Sequence, residues 1–301
     1  MQSVKRVTLA VTFLLLVIIT AGCATNSTYE GARNFIEPSE VGALLSSGNV
    51  IVIDARGEEA YSKGHLDTAI SLAPSALTKD AEIGGLVADQ SQVEQVLSNA
   101  GIKNQDTLLI YDDNGGVNAG RVWWVLKLYG HEQVKIINGG AKGLERAALK
   151  MSAEAPKLDK TTYTAKAMDT KMIATLEDVM NSADETSSVV LLDVRSSAEF
   201  DEGFIPGAIH YSHTENLYND GTFKSMKTIA LNYRDLSLHE DDEIILYCKS
   251  SFRATQTMAL LEEAGFTNVR VYDGAWLEWQ SKDMAPAEKP VEVQPSSQDA
   301  S

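Results

Sequence analysis

This sequence predicts two α/β domains in tandem, each a parallel sheet with helices on both faces, and three observations predict them. The chain has 301 residues, about two domains at roughly 150 residues each. Short β-branched runs alternate with amphipathic stretches along most of it, the pattern of strand–helix–strand units rather than hairpins. The sequence also repeats itself. Val52-Ile-Asp-Ala-Arg56 answers Leu191-Leu-Asp-Val-Arg195, Gly64-His-Leu-Asp-Thr-Ala69 answers Gly203-Phe-Ile-Pro-Gly-Ala208, and Ile137-Asn-Gly-Gly140 answers Tyr272-Asp-Gly-Ala275. Motifs kept in one order at a nearly constant offset mean two copies of one domain, not a solenoid.

Composition narrows the partners. Hydrophobic residues make up 44% and charged residues 23%, enough apolar material for two ordinary cores, so a disordered or disulfide-stapled chain is excluded. The 26 Lys plus Arg against 42 Asp plus Glu give a formal charge of -16. Such a surface repels phosphate backbones and anionic headgroups alike, so no nucleic-acid partner is expected and a basic patch cannot hold the chain to a membrane.

The elements follow in order. Lys5 and Arg6 precede an apolar run from Val7 to Ile19, too short and too one-sided in its flanks for a comfortable span, which reads as a signal peptide over residues 1–22. Thr20, Ala21 and Gly22 before Cys23 resemble the lipobox of bacterial lipoproteins, with Thr20 where that motif usually has Leu. The resemblance implies lipidation at Cys23, a tether over 23–33, and a place on the periplasmic or another extracytoplasmic face of a bacterial cell envelope. An ordinary cleaved signal peptide or an uncleaved anchor is the alternative. Residues 34–150 and 172–283 are the two domains, and the polar stretch 151–171 is the linker between them. The last stretch, 284–301, is rich in Pro, Ser and charge and is expected to be disordered.

Within the copies, Asn49 to Ile53, Thr107 to Tyr111 and Val134 to Ile137 read as buried strands, as do Val189 to Asp193, Glu243 to Tyr247 and Val269 to Tyr272. Val93, Val96, Leu97 and Ala100 define one face of a helix closed by Gly101. Ala254, Met258 and Leu261 make a similar stripe, ended by Gly265.

The chemistry sits at Tyr247-Cys-Lys-Ser-Ser-Phe-Arg253. If Cys23 is lipidated, Cys248 is the one thiol left, and an unpaired thiol in an oxidising compartment is either buried or used. A strand ends at Tyr247 and a helix begins at about Ala254, so Cys248 lies at the carboxyl end of a strand, where open α/β sheets bind ligands. The loop gathers unpaired backbone N–H groups beside Lys249 and Arg253, a cradle that favours the thiolate and holds an anion next to it. A small buried hydrophobe is the competing reading of Cys248, and it does not need two cations within five residues.

The same stretch, with Tyr272-Asp-Gly-Ala-Trp-Leu-Glu-Trp279, resembles the catalytic half of a tandem rhodanese, and Asp193-Val-Arg195, Glu199-Phe200 and Gly203-Phe-Ile-Pro-Gly-Ala208 resemble the motif that opens each domain of that family. Arg121-Val-Trp-Trp124, Gly130-His131 and Asn138-Gly-Gly140 resemble its inactive first domain. The resemblance spans nearly everything from Asn34 to Lys282. It implies a thiosulfate or 3-mercaptopyruvate sulfurtransferase working through a persulfide on Cys248, with no cofactor and no metal. The loop's backbone N–H groups would stabilise that persulfide. Lys249 and Arg253 would hold an anionic donor, Ser250 and Ser251 would supply hydroxyls, and Phe252 would line the site. The partners implied are a small sulfur donor and a cyanide or thiol acceptor, a thioredoxin-like protein being one candidate.

In the first copy Asp112 takes the place of Cys248 and Asn118 that of Arg253, in a loop one residue longer. Paired carboxylates cannot serve as a soft sulfur nucleophile, and a metal at Asp112 and Asp113 would lack a third ligand, so this copy is expected to wall the cleft. His65, Arg56 and Arg195 read as structural. By the same resemblance, the short arginine-free stretch Ser196 to Gly203 and the charged loop, both unlike the family's mercaptopyruvate enzymes, imply thiosulfate rather than 3-mercaptopyruvate as donor. A phosphatase-like oxyanion enzyme would need a longer loop, and a persulfide carrier or sulfur sensor would need the same one.

Overall fold

The computed structural model describes residues 29–183, 187–282 and 284; the expected signal peptide, Cys23 and all but Met284 of the expected tail lie outside the described residues. No described helix is long and apolar enough to cross a membrane.

The first domain runs β1 (Phe35–Ile36), α1 (Pro38–Leu45), β2 (Val50–Asp54), α2 (Glu58–Lys63), β3 (His65–Leu66), β4 (Ile70–Ser71), α3 (Gln90–Asn99), β5 (Thr107–Tyr111), α4 (Val117–Leu128), β6 (Val134–Ile137), α5 (Gly140–Arg146) and β7 (Met151–Ser152). The second runs β8 (Ile173–Ala174), α6 (Leu176–Ser182), β9 (Val190–Asp193), α7 (Ser197–Asp201), β10 (Ile209–His210), α8 (Met226–Asp235), β11 (Glu243–Tyr247), α9 (Phe252–Glu263), β12 (Asn268–Tyr272) and α10 (Ala275–Ser281). Each forms a five-stranded parallel sheet, ordered β1-β6-β5-β2-β4 and β10-β9-β11-β12-β8. Read from β1 and from β8 the two orders are the same, as the sequence repeat requires.

The central strands have no polar face because both faces are covered. Along β11, Ile244 and Leu246 join the core beneath α9, while Ile245 and Tyr247 join the core on the other face with Val179, Phe200 and Trp279. In β5, Leu108 and Ile110 face one way and Leu109 and Tyr111 the other. The two-residue alternation of a strand carries on past its end and places Cys248 on the α9 side with Ile244 and Leu246.

The domains meet through α4 and α9. Every side chain from Ala119 to Leu126 is buried, and every one from Ala254 to Leu261, which is why neither helix has a polar face. A Cβ on Gly120 would stand 2.7 Å from Gln256 Cα and 2.9 Å from its N, so the crossing is as close as backbones allow. Residues of both domains share one continuous core here.

The linker and the segment ahead of β1 are both packed against the domains. Residues 151–171 do connect the domains, but β7 pairs antiparallel with β3, Thr161 N donates to Ser98 O at 3.0 Å, and the Tyr163 ring stacks on His131. At the start of the described chain Tyr29 is buried against Phe35 and Phe223, and its hydroxyl donates to Lys224 O at 2.6 Å. Asn34 N donates to Glu263 Oε2, and Arg33 Nη2 to Glu262 O. The segment that leads into the first domain is therefore fastened to the second.

Candidate active site

Four loops of the second domain leave the carboxyl ends of β9, β10, β11 and β12, and they bring together Arg195, His213, the Cys248 loop and Asp273. Cys248 is buried and unpaired among the described residues. Ser251 ends the loop in the left-handed region, φ 67° and ψ −18°, and caps α9, which starts at Phe252 rather than at the expected Ala254. Two N–H groups from the first turn of α10 hold the loop: Trp276 N donates to Cys248 O at 3.0 Å and Leu277 N to Lys249 O at 3.1 Å. Because peptides are trans, those bonds turn the N–H groups of Lys249 and Ser250 away from α10. The N–H groups of Phe252, Arg253 and Ala254 have no carbonyl to reach within their own helix.

The first domain shows what such a loop binds. Asp112, in the place of Cys248, puts its carboxylate into the equivalent turn: Oδ1 accepts from Gly116 N at 2.9 Å and Asn114 N at 3.2 Å, and Oδ2 from Ala119 N at 3.0 Å. Its carbonyl is held by Ala141 N at 2.8 Å, as Trp276 N holds Cys248 O. Burial pushes the Asp112 carboxyl above the ordinary carboxylate range, and the N–H groups pull it back. The first copy is thus a cradle filled by its own carboxyl group. By the repeat, Ser251 N and Ala254 N of the second copy stand where Gly116 N and Ala119 N do.

Charge around the cysteine differs from what the loop alone suggests. Arg253 does approach Cys248, but its guanidinium is also gripped by Glu199 of α7, Nη1 to Oε2 at 2.6 Å and Nη2 to Oε1 at 2.8 Å. Glu199 is steadied by Ser196, whose N and Oγ donate to Oε2 at 3.1 and 2.7 Å. The Arg253 hydrogen bonds depress the Glu199 carboxyl to about 2, against the pull of its partial burial. Lys249 is exposed and has no ion pair among the described residues, so it is the loop's uncommitted cation. His213, after β10, has a buried Nδ1 without a hydrogen-bond partner among the described residues, and burial followed by the Arg253 charge lowers its imidazole to about 4. It is neutral at pH 7.

The sequence placed Cys248, Lys249, Ser250, Ser251, Phe252 and Arg253 in one site, and the structure keeps them in one loop, with one difference in role. The Ser251 hydroxyl is not a spare donor, because it faces Asp273 Oδ1 at 3.0 Å and Ser250 O at 2.6 Å and accepts from Arg121 Nη1 at 2.9 Å. Arg195 and Arg56 grip Asp193 and Asp54 and cap Gly203 O and Gly64 O, so both hold the motif that opens their domain. Trp276 lies over Arg195, 4.4 Å from its Cζ to the ring centroid, and Trp279 is core. His65 sits between Tyr61 O and Glu154 O, stacked on Tyr61. Sequence reasoning missed Glu199 as the partner of Arg253, and it missed His213 altogether. An open cleft of about 560 Å³ beside the loop is lined by Ala55, Gly57, Pro74 and Asn118 of the first domain and by Ser250, Phe252 and Leu277 of the second.

Comparison with known proteins adds the following. Residues 37–147 and 175–282 each match the Rhodanese-like domain. A protein of Mycolicibacterium smegmatis named "Putative thiosulfate sulfurtransferase" is 35% identical over 246 residues, 76% of this chain and 87% of that protein. One of the same name from Haloferax volcanii is 31% identical over 247 residues, 77% and 85% of the two chains. The crystal structure of SseA from Escherichia coli, described with the 3-mercaptopyruvate sulfurtransferases, superposes with a TM-score of 0.73 at 24% identity over 80% of this chain and 98% of that one. The anaerobic ergothioneine biosynthesis enzyme of Chlorobium limicola superposes at 0.77 and 21% identity over 86% and 71%. At those identities the two structures speak to fold.

Proposed function

We propose that this chain, which belongs to the rhodanese-like domain family, moves a sulfane sulfur from thiosulfate to a thiophilic acceptor through a persulfide on Cys248. The observation that carries the proposal is the pair of loops. One copy closes its N–H cradle around the Asp112 carboxylate, and the other puts a free cysteine at the same place. Cys248 as thiolate attacks the outer sulfur of the donor. The donor's S–S bond breaks and sulfite leaves with the bonding pair. The persulfide anion then sits where a carboxylate sits in the first copy, stabilised by preorganised N–H groups at no reorganisation cost. Cyanide or a thiolate entering by the cleft beside Phe252 attacks the outer sulfur and releases the Cys248 thiolate, which gives ping-pong kinetics.

The Glu199 grip on Arg253 favours a second donor reading. With the guanidinium fork spent, the cation of the loop left free of an ion pair among the described residues is Lys249, which suits a singly charged donor such as 3-mercaptopyruvate. Intact mass of the soluble protein after exposure to each donor, beside Cys248→Ala, decides between them. A species heavier by one sulfur atom in wild type alone, discharged by cyanide or thiol, supports sulfur transfer. An adduct that no small acceptor discharges makes the protein a persulfide carrier. No adduct from either donor, in a folded and reduced sample, refutes the reading and promotes an oxyanion enzyme. Export and lipid anchoring through Cys23 belong to the same proposal; fatty-acid labelling in cells that is indifferent to Cys23→Ala removes the anchor.

A further inference from the structure

Arg121 is the most deeply buried charge contributed by the first domain to the neighbourhood of the cysteine loop, and the mechanism above gives it no role. Its guanidinium leaves α4 and crosses the interface. Nη1 donates to Ser251 Oγ at 2.9 Å and to Asp273 Oδ1 at 2.7 Å, while Nη2 donates back to Gly85 O of its own domain at 2.7 Å. Two rings close on it: Cζ stands 4.7 Å from the Trp124 centroid and 5.1 Å from that of Phe252. Asp273 is shared as well, its Oδ2 accepting from Val87 N at 2.7 Å. Gly85 abuts the loop directly, since a Cβ there would lie 3.1 Å from Ser250 O. Residues 85–87 and Arg121 therefore press on Ser250, Ser251 and Phe252 from the far side of the interface.

Ser251 is where this pressure has an effect. A side chain at φ 67° carries backbone strain that glycine would not. The turn nevertheless depends on that conformation, because it aims the loop into the start of α9. In this chain the Ser251 hydroxyl, between Asp273 and Arg121, replaces glycine's freedom with fixed partners. We propose that Arg121 is a positioning residue for sulfur transfer: it acts through the Ser251 hydroxyl to hold the cysteine loop in its left-handed turn. The first domain is then part of the catalytic apparatus, although it carries no nucleophile.

This inference rests on the sulfur-transfer reading, so its test has one arm that does not. In the full two-domain protein, Arg121→Lys keeps the buried charge but loses the fork. It should lower the rate of Cys248 persulfide formation at saturating donor about tenfold with KM little changed. Ser251→Ala, which keeps the strained turn and removes the oxygen, should do the same. Ser251→Gly, which needs no hydroxyl to hold the turn, should be less impaired than Ser251→Ala, and in the S251G background Arg121→Lys should cost less than about threefold relative to S251G alone. The second arm follows amide hydrogen exchange of residues 247–253, which should quicken about tenfold with Arg121→Lys when Ser251 is present and little in the S251G background. Equal losses from Arg121→Lys in both backgrounds, or none, overturn the proposal. If Arg121→Lys does not fold, Ser251→Ala and Ser251→Gly decide alone: an alanine variant markedly slower than the glycine variant supports it, and equal rates overturn it. If wild type forms no persulfide, the sulfur-transfer reading fails while the exchange arm still tests Arg121.

Discussion

Replacing Glu199 with glutamine separates two jobs that one carboxylate does here. The shape is preserved and one negative charge is removed from beside Arg253, whose Nη1 and Nη2 lie 2.6 and 2.8 Å from the Glu199 oxygens. A carboxyl held at about 2 instead of 4.5 would be worth about 3 kcal/mol at 1.36 kcal/mol per unit. The Glu199 side chain is 30% exposed, and solvent screening leaves about 1–2 kcal/mol of that. At pH 7 Glu199→Gln should therefore lower the melting temperature by about 3–8 °C. The sign follows from the depressed value. The native advantage is full above about pH 4.5, the unfolded value, and is lost as pH falls through the folded value near 2, so the wild-type and variant curves converge across that window. Affinity should move the other way. A unit charge about 6 Å from a bound anion, at an effective dielectric of about 40, costs about 1.4 kcal/mol per charge of the donor, so the KM of the thiosulfate dianion should fall about ten- to a hundredfold in the variant. Steady-state kinetics and chemical denaturation from pH 2 to 7 measure both. A stability gap that persists unchanged at pH 2, or a KM that rises, refutes the electrostatic account of the pair.

Three further outcomes are expected. Gly120→Val puts a branched side chain against the Gln256 backbone and should cost about 2–4 kcal/mol in a denaturant titration; a cost below 1 kcal/mol would mean the helix crossing is softer than it looks. Asp112→Ala empties the first cradle and strands three N–H groups, so it should lose about 2–4 kcal/mol of stability and leave persulfide formation by the remaining folded protein within about twofold of wild type. His213 is held near 4, below its unfolded value, so the unfolded chain takes up its proton first and wild-type stability falls as pH drops from about 6.5 to 4. His213→Gln should remove about 1–2 kcal/mol of that fall after allowance for partial exposure; denaturation at pH 7 and pH 4.5 that finds equal losses in both proteins would contradict it.

The fold was legible because the repeat and the buried strands are local facts. The expected Glu243 to Tyr247 coincides with β11, and Val189 to Asp193 differs from β9 by one residue. The six loop residues were legible for the same reason, since they are contiguous. What the sequence hid are contacts made across distance. Glu199 and Arg253 lie 54 positions apart, and Arg121 and Ser251 lie 130 apart; no periodicity or propensity joins such pairs. The start of α9 was misplaced by two residues because a serine in a left-handed turn obeys its neighbours rather than its own preference. Residues 151–171 read as linker because they are polar, yet isolated apolar side chains such as Tyr163 and Ala165 suffice to bind them down.

The fastening of Tyr29 has a consequence for synthesis. Its hydroxyl partner, Lys224 O, is 195 positions downstream, and at about 5–20 residues per second the ribosome takes roughly 10–40 s to supply it. During that time the first sheet can form and the segment ahead of β1 can reach Glu37 and Lys135, but it lacks the partners the second domain supplies, and Phe35 lacks Phe223. The nascent chain thus carries an open latch that only a nearly finished product can close. Proteolysis of stalled chains translated without residues 1–22 should find residues 29–34 protected only once the second domain has emerged, and earlier protection would mean that the latch closes on something else.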